Sequence, residues 1–257
     1  MSEATNPVQP ASQAVQPPLL SVVVPVLNEA DNIRPLVDEI VTALDGVCDF
    51  EIVYVDDGSN DGTRNTLLTL RKSEPRLRVV IHDKCAGQSA GLRTGVMAAH
   101  GDLIATLDGD GQNDPADIPK LLKAFQSESR SGRLMVTGHR VNRRDSWAKR
   151  RASRIANAIR RAALRDDNPD TGCSLKLYER SLFLRFPYFD HMHRYLPALA
   201  KRENCAVRVV PVNHRHRTQG RSKYTNLGRL LVGIPDLLGV MWLIRRSPGD
   251  LNSKEPR

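Results

Sequence analysis

Two aspartates one residue apart end an apolar run near the middle of the chain. The run Leu103–Leu107 predicts a buried strand, and Asp108 and Asp110 follow it with Gly109 between them. Because strand side chains alternate between faces, both carboxylates can project to the same side of the strand end. Two hard oxygen donors suit Mg²⁺ or Mn²⁺, which keep positions open for substrate phosphates. Asp and Gly are also common turn residues, so this segment alone leaves a metal site and a polar turn equally open.

Short apolar runs alternate with helical patterns and predict the elements that position these aspartates. Runs this short and this rich in β-branched residues are typical of parallel strands buried on both faces. The predicted strands are Ser21–Val26, Glu51–Val55, Leu77–Ile81, Leu103–Leu107, Leu134–Thr137 and Val207–Val212. The predicted helices are Asn32–Leu44, Asp61–Arg71, Gln88–Ala99, Pro115–Phe125, a basic helix over Trp147–Leu164 and one containing His191, His193 and Arg194. This alternation predicts a doubly wound, mostly parallel α/β sheet with ligands at the carboxyl ends of its strands.

Polar residues follow several of these strands. Asn28 and Glu29 follow the first strand, Asp56–Ser59 the second and Gly138–Arg140 the fifth. Independent turns rarely place functional groups at so many strand ends of one sheet. The first strand is not followed by GxGxxG, and the chain has no GxxxxGK[ST], which disfavours a dinucleotide fold and a P-loop.

Composition places the chain among soluble globular proteins. Its 257 residues are 40% hydrophobic, enough for one large α/β domain or two small ones. Residues 1–18 have no apolar periodicity and no signal-peptide pattern, so they are predicted to be a disordered tail. The four cysteines are scattered without a CxxC pair, which indicates reduced cytosolic thiols rather than disulfides or a zinc site.

Positive charge is concentrated after the fifth predicted strand. The net charge is +9, and Arg140–Arg165 contains ten Lys or Arg residues against one acid, Asp145. Such a patch predicts an anionic partner, which could be a phosphorylated ligand, an acidic membrane surface or nucleic acid.

An apolar segment, Leu227–Ile244, lies near the C-terminus. It is at the lower length limit for a membrane span and is interrupted by two charges and a proline, so a span is disfavoured. These interruptions are Arg229, Pro235 and Asp236. An amphipathic helix in the membrane interface, anchored by Trp242, Arg245 and Arg246, is favoured. The alternative is a helix packed on its own domain or on a partner subunit.

Five motifs together resemble the family 2 glycosyltransferases of the GT-A fold, in the dolichol-phosphate mannosyltransferase-like branch. They are Val24–Glu29 (VPVLNE), Val55–Thr63 (VDDGSNDGT), Gly87–Gly95 (GQSAGLRTG), Asp108–Gln112 (DGDGQ) and Arg217–Tyr224 (RTQGRSKY). Each motif is short, and their order and spacing over roughly residues 19–225 carry the resemblance. It implies a GT-A catalytic domain over 19–225. The C-terminal apolar segment then gives the predicted amphipathic interfacial helix over 226–246, and 247–257 is predicted to be a tail.

The resemblance also implies roles for individual residues. The nucleotide would contact Pro25, Leu27, Glu29 and Asp57. The divalent cation bridging the donor diphosphate would bind Asp108, Asp110 and Gln112. The acceptor lipid phosphate would bind Arg140, Arg150 and Ser153, and Arg217 and Lys223 would clamp phosphates.

A phosphate acceptor changes what catalysis requires. Its oxygen is already anionic at pH 7, so a strong general base is unnecessary. Asp170, and then Asp114, are candidate catalytic carboxylates, although Asp170 is equally well explained as a turn residue or as an ion-pair partner of nearby arginines. His191 and His193 lack a metal-ligand set and are predicted to lie on the surface or behind the site.

The favoured hypothesis is an inverting, metal-dependent transferase moving a sugar from a nucleotide-diphosphate donor to a polyprenyl phosphate of dolichyl or undecaprenyl type. It would act peripherally on the cytoplasmic membrane face, like the minimal family members, and a separate flippase or downstream transferase would handle its product. One alternative is transfer to a hydroxyl of a glycolipid or cell-surface polysaccharide, which would need a carboxylate base instead of flanking cations. A basic nucleic-acid-binding protein is the alternative from another class, and charge alone supports it.

Overall fold

The structure of the protein, a computed structural model, describes residues 20–128, 132–141, 160–164, 166, 168–215 and 226–247, with side chains in the last stretch from Gly233 onward. Of the predicted site residues, Arg150, Ser153, Arg217 and Lys223 lie outside these ranges. Most of the predicted basic helix lies outside them too, although residues 160–164 are helical.

Strands and helices alternate through the first half of the chain, as predicted. They are β1 (Leu20–Val26), α1 (Ala30–Leu44), β2 (Phe50–Asp56), α2 (Thr63–Leu70), β3 (Leu77–Ile81), α3 (Gln88–Ala98) and β4 (Leu103–Thr106). The four strands are parallel, and β1 lies between β2 and β4. Their carboxyl ends therefore meet at one edge of the sheet.

The second half completes the sheet with less regular elements. A 3₁₀ turn (Pro115–Asp117), α4 (Ile118–Glu128), β5 (Leu134–Arg140), β6 (Lys176–Glu179) and α5 (Arg180–Leu184) come first. A 3₁₀ turn (Met192–Arg194), α6 (Leu196–Arg202), β7 (Ala206–Val212) and α7 (Asn226–Arg245) follow. The helix predicted around His191–Arg194 is wrong: the segment is one 3₁₀ turn, because His191 has a left-handed backbone (φ 61°) that a helix cannot continue through.

The strands of the described residues form one sheet in the order β3-β2-β1-β4-β6-β5-β7. Only β6 is antiparallel to its neighbours, and it lies between β4 and β5. The sequence did not predict β6, yet it brings the end of β5, with Arg140, to the same edge as the end of β4.

Two apolar cores cover the two faces of the sheet. Along β1, Val22 and Val24 pack into the core that contains Ile33 of α1, whereas Val23 packs into the core that contains Val96 of α3. All are fully buried. Burial on both faces explains why these strands are continuous apolar runs rather than alternating ones.

Helix α7 has apolar residues on both of its faces. Val240 is fully buried in the second core, whereas Ile234, Leu238 and Trp242 are between 54% and 60% exposed. Their spacing of four residues places them along one side of the helix. The expected attachment of this helix to the membrane interface stays a prediction. Among the described residues, no helix combines the length and apolar content needed to cross a bilayer.

Candidate active site

The loops that follow β1 and β2 are tied to each other at the carboxyl edge of the sheet. The backbone N–H of Asn28 donates to Ser59 Oγ at 2.9 Å, and the Asn28 side-chain oxygen accepts from the N–H of Asn60 at 2.9 Å. Asn28 has a left-handed backbone (φ 56°), which Asn tolerates better than most residues. These contacts fix the loops after β1 and β2 relative to each other.

The loop after β4 lies against β1. A Cβ on Gly109 would be 2.2 Å from Val26 Cγ1, so only glycine allows this approach. Within the loop, Asp110 Oδ1 accepts from the N–H of Gln112 at 3.1 Å. The buried Asn113 accepts from Ser174 Oγ at 2.6 Å, which joins the loop to the segment before β6. The aspartates therefore lie in a braced loop rather than a solvated turn.

Asp108 is the electrostatically strained member of this loop. Its Oδ1 accepts from Gln88 Nε2 at 2.7 Å. Burial raises the pKa of Asp108, and the neighbouring charge of Asp110 raises it further, against opposing effects of Ser174, Lys176 and Arg140. A carboxylate destabilised by burial and by a like charge gains most from a bound cation.

The donor set of this loop fits a divalent metal ion. Within the described part of the chain, no cluster of three His, Cys, Asp or Glu residues is present that could enclose a metal. Asp108, Asp110 and the Gln112 side chain would offer three oxygen ligands, fewer than an enclosed metal site has. Such a partial set suits Mg²⁺ or Mn²⁺, which take remaining ligands from phosphate and water.

Asp57 organises the loop that precedes α3. Oδ1 accepts from the N–H of Ala86 at 2.9 Å and lies 2.7 Å from His82 Nδ1. Oδ2 accepts from the N–H of Gly87 at 2.8 Å and from Cys85 Sγ at 3.3 Å. Its contact with a base or ribose stays a prediction, and the structure assigns it a loop-bracing role as well.

The other predicted nucleotide contacts surround the same edge. Pro25 is in β1, half-buried, and Leu27 follows directly after the strand. Glu29 precedes α1, where its side chain accepts from Asn32 Nδ2 at 2.7 Å. All three lie at the carboxyl end of β1, next to the Asp108 loop.

Arg140, the last residue of β5, forms a buried ion pair with Asp170. The Asp170 carboxylate accepts from Arg140 Nε at 2.8 Å, from Nη2 at 2.7 Å and from the backbone N–H at 3.1 Å. Burial opposes the charge of Arg140, but the bonds and charge of Asp170 outweigh it and raise the pKa of the guanidinium. Of the two roles open for Asp170, this geometry is that of an ion-pair partner.

A second ion pair lies beside the first. Arg160 Nη1 donates to Asp166 Oδ2 at 2.6 Å, and its Nη2 donates to the Asn168 carbonyl at 2.8 Å. The Asn168 side chain in turn accepts from the N–H of Asp170 at 3.0 Å. The two pairs thus belong to one network that includes both Arg140 and Arg160.

Lys176 is a site residue that motif reasoning did not single out. It is 2% exposed and donates to the Cys173 carbonyl. Burial lowers the pKa of Lys176, and Cys173, Asp108 and Asp170 oppose that shift electrostatically. The lysine therefore lies between the aspartate loop and the Arg140 pair. A lysine within the apolar run at the start of β6 was the available sequence signal.

The segment after β7 meets the aspartate loop. The N–H of Arg215 donates to the Gln112 carbonyl at 3.0 Å. The Arg215 guanidinium donates to Asp114 Oδ1 at 2.7 Å and to Glu39 Oε2 at 2.6 Å. Asp114 is therefore an ion-pair partner, and Arg215 lies beside the aspartate loop.

His193 lies behind the site rather than on the surface. Its Nδ1 is 2.8 Å from Ser89 Oγ, next to Gln88. His191 instead contacts helix α7, with Nδ1 3.2 Å from Asp236 Oδ2.

Comparison with known proteins agrees with this fold. The glycosyl transferase family 2 model matches residues 21–186. A dodecaprenyl-phosphate galacturonate synthase of Rhizobium johnstonii is 36% identical over 95% of this chain and 73% of that protein. An undecaprenyl-phosphate 4-deoxy-4-formamido-L-arabinose transferase of Edwardsiella ictaluri is 34% identical over 80% of this chain and 62% of that protein. Glucosyl-3-phosphoglycerate synthase from Mycobacterium tuberculosis, solved with Mn²⁺, UDP and phosphoglyceric acid, has TM-score 0.64 at 21% identity, over 90% of this chain and 80% of that one.

The protein is a glycosyltransferase of the α/β type with a metal-compatible aspartate loop at the carboxyl edge of its sheet. It belongs to glycosyl transferase family 2. The predicted mostly parallel GT-A architecture is confirmed.

Proposed function

We propose that this chain transfers a sugar from a nucleotide-diphosphate donor to a polyprenyl phosphate, with a divalent cation bound at Asp108, Asp110 and Gln112. One observation carries the proposal: β6 brings the Arg140–Asp170 pair and Lys176 to the edge where the two aspartates lie. A cation site for the donor and an arginine for an anionic acceptor would then share one edge. The relatives named for dodecaprenyl and undecaprenyl phosphate support this acceptor class.

The donor side follows from charge balance. As the anomeric C–O bond breaks, negative charge grows on the leaving diphosphate, and a divalent cation would neutralise it there. Asp108, Asp110 and Gln112 would hold that cation. The similarly folded synthase that was crystallised with Mn²⁺ and UDP supports the use of a divalent ion together with a nucleotide. Arg217 and Lys223 remain our predicted phosphate clamps.

The acceptor side needs orientation more than proton removal. A phosphate monoester oxygen is anionic near neutral pH, so it can attack without a general base. Asp170 would hold the Arg140 guanidinium in a fixed plane, and Arg140 would bind the acceptor phosphate through its remaining donors. Arg150 and Ser153 remain predicted acceptor contacts.

We further propose peripheral attachment to the cytoplasmic membrane face through α7. Its exposed stripe of Ile234, Leu238 and Trp242 leads to the exposed Arg245 and Arg246. Apolar side chains beside arginines match the boundary between acyl chains and anionic headgroups. Movement of the lipid-linked sugar to the other leaflet would require a separate protein.

The decisive experiment is an acceptor and donor panel. Purified protein is incubated with undecaprenyl phosphate, each of several UDP- and GDP-sugars, and Mn²⁺ or Mg²⁺. We expect one radiolabelled sugar to move into the lipid fraction, and EDTA to stop the transfer. Transfer only to a glycolipid or polysaccharide hydroxyl would replace the acceptor assignment, and tight metal-independent oligonucleotide binding without transfer would overturn the enzyme assignment.

Attachment is tested separately by flotation with vesicles containing phosphatidylglycerol. The double variant Leu238→Ser, Trp242→Ser should lose most of its vesicle-bound fraction. A matched control is Leu68→Ser on α2, since Leu68 is an exposed leucine (39%) away from this stripe. Equal flotation of the double variant and the wild type would contradict the role of α7.

A further inference from the structure

The contacts of α3 point to a support for the aspartate loop that none of the five motifs predicts by itself. Gln88 is the first residue of α3, and its Nε2 donates to Asp108 Oδ1 at 2.7 Å. It reaches from the loop after β3 to the loop after β4. The donor of this hydrogen bond is an amide and carries no charge.

A neutral donor suits a metal ligand better than a paired cation would. An arginine in contact with Asp108 would fix the carboxylate but would also cancel the charge that attracts a divalent ion. An amide fixes one oxygen through a hydrogen bond and leaves the net charge in place. The Asp110 repulsion makes such fixation useful, because two like charges otherwise drive the side chains apart.

Gln88 is itself held from two sides. On one side, Gly87 has a backbone φ of 94°, and its N–H donates to Asp57 Oδ2 at 2.8 Å. On the other side, the next residue, Ser89, is fully buried and bonds His193. The turn that begins α3 is thereby clamped between the end of β2 and the 3₁₀ turn around His193.

The Ser89–His193 contact is reciprocal. Ser89 Oγ lies 2.8 Å from His193 Nδ1, and the His193 backbone N–H donates to the same Oγ at 3.3 Å. Burial, with the nearby Arg194, Lys176 and His191, lowers the pKa of His193 to about 3. The ring is therefore neutral near pH 7, and in the tautomer that carries its proton on Nε2, Nδ1 accepts from the serine hydroxyl.

We propose that Gln88 is a positioning residue for the metal-ligating Asp108 carboxylate, and that the Ser89–His193 contact holds Gln88 in reach of it. The proposal rests on the proposed function, since it gives Asp108 its role as a metal ligand. It assigns a purpose to the His191–Arg194 segment, which no part of the transfer chemistry uses.

The test measures metal binding as well as turnover. Mn²⁺ is titrated calorimetrically into protein with UDP or GDP, whichever the wild type binds. Gln88→Met keeps the side-chain length without the donor and should weaken Mn²⁺ binding by about tenfold, the scale of one hydrogen bond to a charged group. The KM for the donor should rise with it, while kcat changes less.

Two further variants test whether the Ser89–His193 contact holds Gln88 in place. Ser89→Ala and His193→Leu should each weaken Mn²⁺ binding by roughly two- to fivefold, since they loosen Gln88 without removing it. His193→Asn, which keeps an acceptor near the Nδ1 position, should recover most of the loss. Met97→Ala, on the exposed side of the same helix, is the matched control and should leave binding unchanged. Thermal melts confirm that each protein is folded at the assay temperature.

Asp108→Ala separates the two proposals. If it leaves Mn²⁺ binding unchanged, the metal site itself is wrong. If Asp108→Ala abolishes binding but Gln88→Met binds Mn²⁺ as the wild type does, only the positioning role is overturned. Failure of His193→Asn to improve on His193→Leu would overturn the role of the Ser89–His193 contact.

Discussion

The two halves of the carboxyl edge are stabilised in opposite ways. In the first half, Asp108 accepts from the Gln88 amide and Asp110 accepts from the backbone N–H of Gln112, and both donors are neutral. The segment at the end of β5 is held by buried ion pairs, with Asp170 on Arg140 and Asp166 on Arg160. A neutral donor fixes a carboxylate without cancelling its charge, so that charge stays available to attract a cation. The ion pair with Asp170 instead fixes the orientation of the Arg140 guanidinium before an anion binds.

The largest effect is expected from a substitution in the aspartate loop, where neutral groups donate to the carboxylates. Asp110→Ala removes one proposed metal ligand and should lower transfer by at least roughly a hundredfold, because the leaving diphosphate loses its counter-charge. Circular dichroism should show an unchanged fold, since Asp110 lies in a loop at the sheet edge. Asp102→Ala, an exposed aspartate at the opposite end of β4, is the control and should retain full activity. Normal turnover in Asp110→Ala would refute the metal assignment.

The next largest effect is expected from removal of the ion pair between Asp170 and Arg140. Asp170→Ala leaves the Arg140 charge buried without its partner and should cost about 3 kcal/mol in the free energy of unfolding. Urea denaturation measures this loss. Asp45→Ala, which removes an exposed partner of Arg76, should cost less than about 0.5 kcal/mol.

Kinetics of a gentler variant then separate the two roles considered for Asp170. Asp170→Asn keeps the shape and should raise the KM for the lipid phosphate if the carboxylate orients Arg140. A fall in kcat with unchanged acceptor KM would instead support a general base.

The smallest expected effect is on the stability of the metal-free protein, and it tests whether the charge of Asp108 destabilises the fold. Burial and Asp110 raise the pKa of Asp108, which means that its charged form destabilises the metal-free fold. Asp108→Asn should therefore stabilise the metal-free protein by on the order of 1 kcal/mol. For a domain of this size this corresponds to a Tm roughly 2–4 °C higher. Differential scanning calorimetry in EDTA measures it, and a lower Tm would show that the loop is not under charge strain.

A second set of melts, with Mn²⁺ and nucleotide added, tests whether Asp108 binds the metal. The wild type should gain Tm because ligand binds the folded state, whereas Asp108→Asn should gain little. An equal gain in both proteins would mean that the metal binds elsewhere.

Much of the fold was predictable because its signals are local. A strand buried on both faces must be apolar and gains from β-branching, so β1 to β5 could be located from short segments alone. The polar strand ends could be assembled at one edge because parallel strands share a direction. Strand β6 escaped prediction because it has four residues and includes a lysine, and nothing local indicates its antiparallel placement.

The side-chain pairs at the site were less predictable, because their members are far apart in the sequence. Gln88 and Asp108 are 20 residues apart, Arg140 and Asp170 are 30 apart, and Ser89 and His193 are 104 apart. A hydrogen bond between such residues leaves no periodicity in the chain. His191 and His193 read alike in sequence, yet one contacts α7 and the other supports α3.

The sequence by itself determined the alternation of strands and helices, the aspartate pair at a strand end and the excess of positive charge that follows. These follow from hydrophobic burial and side-chain alternation, which act over a few residues. Only the tertiary structure decided that Asp170 pairs with Arg140, that Lys176 lies between the two halves of the edge, and that Gln88 holds Asp108. Those outcomes depend on which distant groups are buried together, because a buried charge or donor must find its partner wherever the fold places one.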